Sequence, residues 1–90
     1  MRKLVNENPY KIFKYMLNNK NVIRSHIYKT QWIDYSVIKR ITDSMAASGI
    51  IKYKDRDIRS KYVYLTKKGE KIAKIYVELY ELLYKEDKQK

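Results

Sequence analysis

The sequence predicts an α+β fold that is mostly α-helical, with a three-helix core, a two-stranded hairpin and a long C-terminal helix. Two short runs rich in β-forming residues, 50–54 and 61–65, flank a charged loop, which predicts the hairpin. Apolar residues on both sides of the hairpin recur at helical spacing. Gly49 before it and Thr66 after it are residue types that end and begin helices.

The first helix is expected to start at Asn8 as N-cap and Pro9 as first helical residue. The asparagine-rich run 18–21 should end it, and residues 22–23 are compatible with a very short strand. Four of its apolar residues should face the core: Ile12, Phe13, Met16 and Leu17.

A short second helix is expected over 24–30 with Ile27 turned inward, followed by a turn at Trp32 and Ile33. Asp34 is a good N-cap for the third helix, because its carboxylate can accept a bond from a free backbone N–H. Gly49 should end that helix in a left-handed conformation. Three apolar residues should form its buried stripe: Ile38, Ile41 and Met45.

The fourth helix should run from its cap at Thr66 to about residue 84, with a frayed tail over 85–90. Its near-heptad apolar stripe consists of Ile72, Ile75, Tyr76, Leu79, Leu82 and Leu83. Four further apolar residues flank the stripe: Ala73, Val77, Tyr80 and Tyr84. This band is wider than one small core needs.

Length and charge favour one domain, 1–90, with a polyanionic partner. The chain carries 21 Lys+Arg and 10 Asp+Glu, a formal net charge of +11. Residues 1–65 hold 14 basic and 5 acidic side chains, and residues 66–90 hold 7 and 5. The excess therefore sits on the first two-thirds, which favours nucleic acid first and an anionic membrane surface second.

Several functional classes are not expected. Cysteine is absent, which excludes disulfides and thiolate metal sites and suits a cytoplasmic protein. The single histidine, His26, has no second His or Cys near it and reads as a surface residue. Asp55 and Asp57 lie among basic residues and suit acid–base catalysis poorly. We therefore predict no enzyme, no catalytic residues, no metal, no cofactor, no membrane span or signal peptide, and no small-molecule ligand.

From Ile27 to Gly69 the chain resembles the winged helix-turn-helix core of MarR-type and related archaeal regulators. Ser48-Gly49-Ile50-Ile51 resembles the "K-G-L-I" that closes the recognition helix. Asp57-Ile58-Arg59 resembles the "D-x-R" of the wing, and the segment 62–69, YVYLTKKG, resembles "V-x-L-T-x-x-G". The family's buried positions correspond to Ile27, Ile33, Ile38, Ile41 and Met45. The small size also resembles the winged-helix proteins of crenarchaeal viruses and plasmids.

The chain departs from the family pattern in two places. Tyr28 stands where a small residue is usual and Trp32 where Gly is usual, so this bulky pair should change how the second and third helices pack. The long N-terminal dimerisation helices of full MarR proteins are also missing, which assigns any dimerisation to the fourth helix.

The resemblance implies a sequence-specific double-stranded DNA-binding transcription regulator. Its third helix would read the major groove, where Arg40 could bond a guanine and Val37 could touch a thymine methyl group. The exposed side of that helix carries Tyr35, Ser36, Val37, Lys39, Arg40 and Asp43. The alternative is a solvated helix face with ordinary charges.

The hairpin tip, or wing, would reach the minor groove through Arg56, Arg59 and Lys61. Asp57 would orient Arg59 within the loop. The alternative is a charged tip that only keeps the sheet soluble. Further phosphate contacts are expected from Arg24, Lys29, Lys52 and Lys54.

The organisation that follows is a DNA-binding core over 8–65 and a dimerisation helix over 66–84. The apolar stripe of the fourth helix could cover the chain's own core, pair with its copy in a homodimer, or do both. Two other functions stay open: a winged helix that docks on proteins, and a non-specific architectural or RNA-binding protein. The ten tyrosines suggest stacking on single strands less than they suggest core and sheet packing.

Overall fold

The computed structural model describes residues 5–58 and 60–84, which form four helices and a small antiparallel sheet. The elements in chain order are α1 (Glu7–Asn18), β1 (Val22–Ile23), α2 (Arg24–Gln31), α3 (Tyr35–Ala47), β2 (Ile51–Asp55), β3 (Lys61–Leu65) and α4 (Lys67–Tyr84). The predicted three-helix core, hairpin and long C-terminal helix are confirmed. The predicted frayed tail, 85–90, lies outside the described residues.

The sheet has the strand order β1-β3-β2, so the short β1 extends the predicted hairpin to three strands. Val22 pairs with Val63, and Ile51 pairs with Leu65. Ile50 was expected to begin the hairpin, but the strand starts one residue later. The reason is that Ile50 closes the turn after α3, where its N–H donates to the Met45 carbonyl at 2.9 Å.

Two helix boundaries differ from the predictions. The N-cap of α1 is Asn6, with φ −116° and ψ 153°, so the expected start at Asn8 and Pro9 is wrong by two residues. Pro9 fits inside the first turn because the N–H groups there have no intrahelical partner to lose. α2 also continues to Gln31, one residue beyond the expected end.

Asp34 caps α3 as predicted. Its Oδ1 accepts from the Ser36 backbone N–H at 2.8 Å and from the Ser36 hydroxyl at 2.6 Å. These bonds, the hydroxyl one first, hold the pKa of the Asp34 carboxyl below its usual value. At the other end of α3, Gly49 has the expected positive φ of 76°.

The main core lies where α1, α2, α3 and the sheet meet. Its buried members are Ile12, Phe13, Met16, Val22, Ile27, Ile33, Ile38, Met45, Ile51, Val63 and Ala73. Leu17 faces this core as expected, half-buried at its edge, whereas Ile41 was expected to be buried and is also only half-buried there. Thr42 is instead fully buried in α3, and its hydroxyl donates to the Ile38 carbonyl at 2.8 Å.

The buried residues of α4 are not those of the predicted apolar stripe. The buried residues of this helix are Gly69, Ala73 and Tyr80, and Tyr80 stacks on Tyr10 of α1 with ring centroids 4.1 Å apart. From the predicted stripe, Ile72 and Tyr76 pack on the chain's own core. The other four are exposed: Ile75, Leu79, Leu82 and Leu83.

Candidate nucleic-acid interface

The exposed face of α3 carries five of the six side chains that were expected there. These are Tyr35, Ser36, Lys39, Arg40 and Asp43. Val37, expected on the same face, is half-buried and packs against the core, so it is not displayed as predicted. The N-terminal half of α3 therefore presents phenol, hydroxyl, ammonium and guanidinium groups to solvent.

Asp43 is the centre of a hydrogen-bonded group that joins three elements. Its Oδ1 accepts from the Arg24 guanidinium at 2.9 Å and from the Tyr53 hydroxyl at 2.7 Å. Its Oδ2 accepts from the Lys39 ammonium at 3.1 Å. We call Arg24, Lys39, Thr42, Asp43 and Tyr53 the Asp43 cluster. The bond from Tyr53, followed by that from Lys39, holds the pKa of the Asp43 carboxyl below its usual value.

Arg24 ties α2 to both α3 and β2. Its Nε donates to the Thr42 hydroxyl at 3.1 Å, its Nη2 donates to the Tyr53 hydroxyl at 2.6 Å, and its guanidinium lies 4.9 Å from the centroid of the Tyr53 ring. Only 22% of its side chain is exposed. The cluster thus fixes the angle between α3 and the hairpin.

Sequence reasoning missed the part played by Tyr53. Arg24 was expected at phosphate and Asp43 on the exposed face of the recognition helix, but nothing in the chain order pairs them with a strand residue. One available signal was the alternation along β2, which puts Tyr53 on the same face as the buried Ile51. That face packs towards the helices, so a tyrosine on it needs a partner for its hydroxyl.

The wing is braced by a small network at its tip. Arg56 donates to the Asp57 carboxylate at 3.2 Å and to the Ser60 hydroxyl at 3.1 Å. Asp57 also accepts from the Ser60 backbone N–H at 3.0 Å. Arg59 lies outside the described residues, so its predicted orientation by Asp57 is not tested. Within the described part of the wing, Asp57 orients Arg56.

The remaining predicted cations occupy two different surfaces. Lys61 lies beside the Asp43 cluster, with its Nζ 5.9 Å from the centroid of the Tyr53 ring. Lys52 and Lys54 are exposed on β2, where alternation puts them on the sheet face opposite Tyr53. Lys29 is exposed on α2. The structure therefore brings Lys61 together with α3, but not Lys52 or Lys54.

A groove with a volume of about 550 Å³ separates α3 from the hairpin. Its walls include Tyr35 and Lys39 from α3 and Lys61 from β3, with Arg24 between them. Three of these four side chains are cationic, and Asp43 offsets part of their charge. The arrangement can accept an anionic backbone along the line where the helix meets the wing.

The turn between α2 and α3 displays aromatic side chains. Trp32 is 89% exposed and has a left-handed backbone, with φ 58° and ψ 41°. Tyr28 is half exposed and meets Tyr35 edge to face, with ring centroids 6.3 Å apart. Trp32 projects into solvent, so the expectation that it changes the packing of the two helices is wrong for this residue. Tyr28 does contact α3 through Tyr35.

Other kinds of site find no support among residues 5–58 and 60–84. No group of three or more His, Cys, Asp or Glu side chains there is placed to hold a metal ion. No helix of that part is both long and apolar enough to cross a membrane. His26 is exposed, and its Nδ1 accepts from the backbone N–H of Ile23 at 3.4 Å at the start of α2.

The sequence matches no protein-family model and no curated protein. The fold, in contrast, is similar to solved structures. The protein AF1382 from Archaeoglobus fulgidus superposes with a TM-score of 0.75 at 20% identity, covering 90% of this chain and 92% of that one. MepR, a transcription regulator of the Staphylococcus aureus multidrug efflux pump MepA, gives 0.74 at 12% identity over 89% of this chain.

A MarR variant from E. coli, solved in complex with operator DNA, gives a TM-score of 0.69 at 17% identity over 93% of this chain. This chain spans only 61% of MepR and 59% of MarR. Likeness at such identities concerns the fold alone. The chain therefore has the winged helix-turn-helix fold of the MarR-type regulators.

Proposed function

We propose that the protein is a sequence-specific double-stranded DNA-binding transcription regulator that acts as a homodimer. The observation that carries the proposal is the exposed face of α3, which is held beside a basic wing by the Asp43 cluster. In such a fold the recognition helix enters the major groove with its N-terminal residues at the base edges. The crystal structure of MarR with operator DNA supports the same use of the fold here.

Arg40 is the base-reading residue that we favour on α3. It is exposed, whereas its neighbour Lys39 is bonded to Asp43 at 3.1 Å. A guanidinium can bond the two acceptors of guanine at once. Tyr35 and Ser36, at the start of the helix, can donate to phosphate or base.

The wing would contact the minor groove through Arg56, Lys61 and Arg59. A narrow minor groove has the most negative potential and attracts arginine. Arg56 is paired with the Asp57 carboxylate at 3.2 Å, so it must exchange this partner for phosphate when it binds DNA. Lys61 borders the protein's groove between α3 and the wing, and it needs no such exchange to contact the DNA backbone.

The remaining cations would contribute mainly non-specific affinity. Lys29, Lys52 and Lys54 are exposed and can approach phosphates without a change in the fold. Arg24 is mostly covered and bonded to Thr42, Asp43 and Tyr53. We infer that Arg24 positions α3 against the wing instead of contacting DNA directly.

The exposed face of α4 supports a homodimer. Ile75 and Leu82 are 64% and 52% exposed, and Leu79 and Leu83 lie along the same helix. A contiguous apolar face of this kind marks a surface that is covered by a partner. A second copy of the chain would cover it and present two recognition helices to half-sites about one helical turn apart.

The test is a selection of random duplex DNA on the purified protein at moderate salt. An enriched inverted repeat is the expected result. Retention without enrichment would instead favour non-specific architectural binding. No retention by the folded protein would remove the proposal and favour protein docking.

Arg40→Ala tests the role of the recognition helix. It should relax specificity at one base position, with a loss of about 1–3 kcal/mol at the preferred base. Lys74→Ala, which removes an exposed cation from α4, is the matched control and should leave the preference unchanged. A loss of equal size on every sequence would show that Arg40 contacts phosphate instead of a base.

Leu79→Gln tests the dimer without changing the charge. It should shift the protein towards monomer in analytical ultracentrifugation and weaken binding to the inverted repeat more than to a single half-site. A wild-type chain that is monomeric at the concentrations where it binds the repeat tightly would exclude the homodimer.

A further inference from the structure

Trp32 has a backbone conformation that does not suit its side chain. Three described residues have positive φ: Asn21 at 55°, Trp32 at 58° and Gly49 at 76°. Glycine adopts this region freely, and asparagine tolerates it. A bulky side chain there is strained, because Cβ approaches the following carbonyl oxygen. Glycine at position 32 would form the same turn with less strain.

Packing does not account for the tryptophan either. Its side chain is 89% exposed, so it contributes little to the core on either side of the turn. Ile27 before it and Ile33 after it are 0% and 3% exposed and fill the space between the helices. A strained, exposed aromatic side chain is therefore better explained by a contact outside the folded chain.

Two further exposed aromatic residues lie on the helices that flank Trp32. Tyr28 on α2 and Tyr35 at the first position of α3 are 49% and 45% exposed, and their rings meet at 6.3 Å. We call Tyr28, Trp32 and Tyr35 the aromatic turn. Tyr35 also borders the groove between α3 and the wing, so the aromatic turn includes one residue of the proposed DNA-binding face.

We propose that Trp32 contacts the sugar–phosphate backbone of duplex DNA at the edge of the major groove. Its indole N–H, a donor without acceptor function, would bond a phosphate oxygen while the ring covers the adjoining deoxyribose. The inference rests on the proposed function, because it requires α3 to enter the groove. The turn just before a recognition helix then lies close to the strand that borders the groove.

Charge favours duplex DNA over an apolar protein partner for this surface. Exposed Lys29 follows Tyr28 directly in α2, and Lys39 and Arg40 lie further along α3. The acidic residue nearest in sequence, Asp34, is engaged with Ser36 at 2.8 Å and caps the helix. A turn between two helices that carry exposed cations suits the negatively charged phosphates of a strand.

The fluorescence of Trp32 can report on this contact directly, because Trp32 is the single tryptophan of the chain. The fluorescence experiment adds a duplex of about 20 base pairs, or two helical turns, that carries the inverted repeat recovered by selection. Binding should change the tryptophan emission and reduce its quenching by acrylamide. A second arm adds an unrelated duplex, which should protect the indole less at the same concentration.

Trp32→Gly separates the contact from folding. The variant should unfold at the wild-type temperature or above it, because the left-handed strain is removed. It should also bind the selected duplex about tenfold more weakly, equivalent to ~1.4 kcal/mol. Asn21→Gly is the matched control, since it changes a residue of the same backbone conformation away from the aromatic turn and should leave affinity unchanged.

Each outcome decides between the two proposals. If the wild type binds the selected duplex while the emission of Trp32 stays unchanged and Trp32→Gly keeps full affinity, the inference is wrong and the proposed function stands. If the wild type binds no duplex by an independent assay such as gel shift, both are wrong. Protection of the indole together with weaker binding by a stable Trp32→Gly supports both.

Discussion

Replacement of Gly69 by alanine should destabilise the protein, although the same change usually stabilises a helix. Gly69 is buried in the first turn of α4. A Cβ built there would lie 1.8 Å from the carbonyl oxygen of Ile50 and 2.8 Å from its carbonyl carbon, where ordinary contact begins at 3.4 Å. The obstacle is backbone, so no side-chain rotation can relieve the overlap.

The size of the effect follows from what must move. To reach ordinary contact, α4 and the turn at Ile50 must separate by 1.6 Å, the difference between 1.8 and 3.4 Å. The Ile50 carbonyl accepts from the Thr66 N–H at 3.0 Å and from the Thr66 hydroxyl at 3.1 Å, and these bonds would lengthen or break. Overpacking costs about 1–3 kcal/mol, and each lost bond about 1 kcal/mol. The higher helix propensity of alanine offsets about 1 kcal/mol of this loss in stability.

The free energy of unfolding should therefore fall by about 2–4 kcal/mol, from the roughly 5–13 kcal/mol typical of a domain of this length. It should lower the midpoint of thermal unfolding by roughly 8–32 °C. Circular dichroism at fixed protein concentration measures the shift, since dimerisation would make the midpoint depend on concentration.

Gly49 provides the control because its constraint is different. Its φ is 76°, but a Cβ there would meet only the Lys68 ammonium at 3.7 Å. Gly49→Asn should therefore be milder than Gly49→Ala, since asparagine tolerates left-handed backbone. Gly69→Asn should be no better than Gly69→Ala. A Gly69→Ala variant as stable as the wild type would refute the close approach of α4 to Ile50.

Four further predictions concern residues of α2, α3 and β2. Asp43→Asn should lower the free energy of unfolding at neutral pH. The gap in unfolding free energy between variant and wild type should shrink as the pH falls below 3.8, because the pKa of Asp43 in the folded protein lies below that ordinary value. A gap that does not change with pH would contradict this. Tyr53→Phe should be non-additive with Asp43→Asn, since the two residues share a bond of 2.7 Å. Asp34→Ala should lower the unfolding midpoint, whereas Asp34→Asn, which can still accept from the Ser36 N–H, should lower it less. Ile27→Ala, at a fully buried position, should cost about 2–5 kcal/mol in urea unfolding and Ile27→Val about 0.5–1.5 kcal/mol; equal costs would contradict its burial.

Features set by local chemistry could be predicted from the sequence. Asp34, Gly49 and Thr66 act where their residue types indicate, because caps and left-handed turns depend on only a few neighbouring atoms. Helical periodicity located Ile12, Ile27 and Ile38 in the core. These signals sufficed for the order of helices and strands.

Features set by contacts between distant segments could not be predicted. Which face of α4 is buried depends on α1, and the stacking of Tyr10 on Tyr80 joins residues at opposite ends of the chain. The same limit hid the bond between Asp43 and Tyr53. Apolar spacing alone did not separate the side of α4 that packs on its own chain from the side left exposed.

The ion pairs within the proposed interface affect how binding should depend on ionic strength. A cation already neutralised by a carboxylate displaces fewer counterions from DNA than a cation without such a partner. Lys39 is paired with Asp43 and Arg56 with Asp57. The slope of affinity against salt concentration should therefore be shallower than a count of the interface lysines and arginines alone suggests. A correspondingly larger share of the binding free energy would come from shape and base edges, which are the contributions that distinguish one DNA sequence from another.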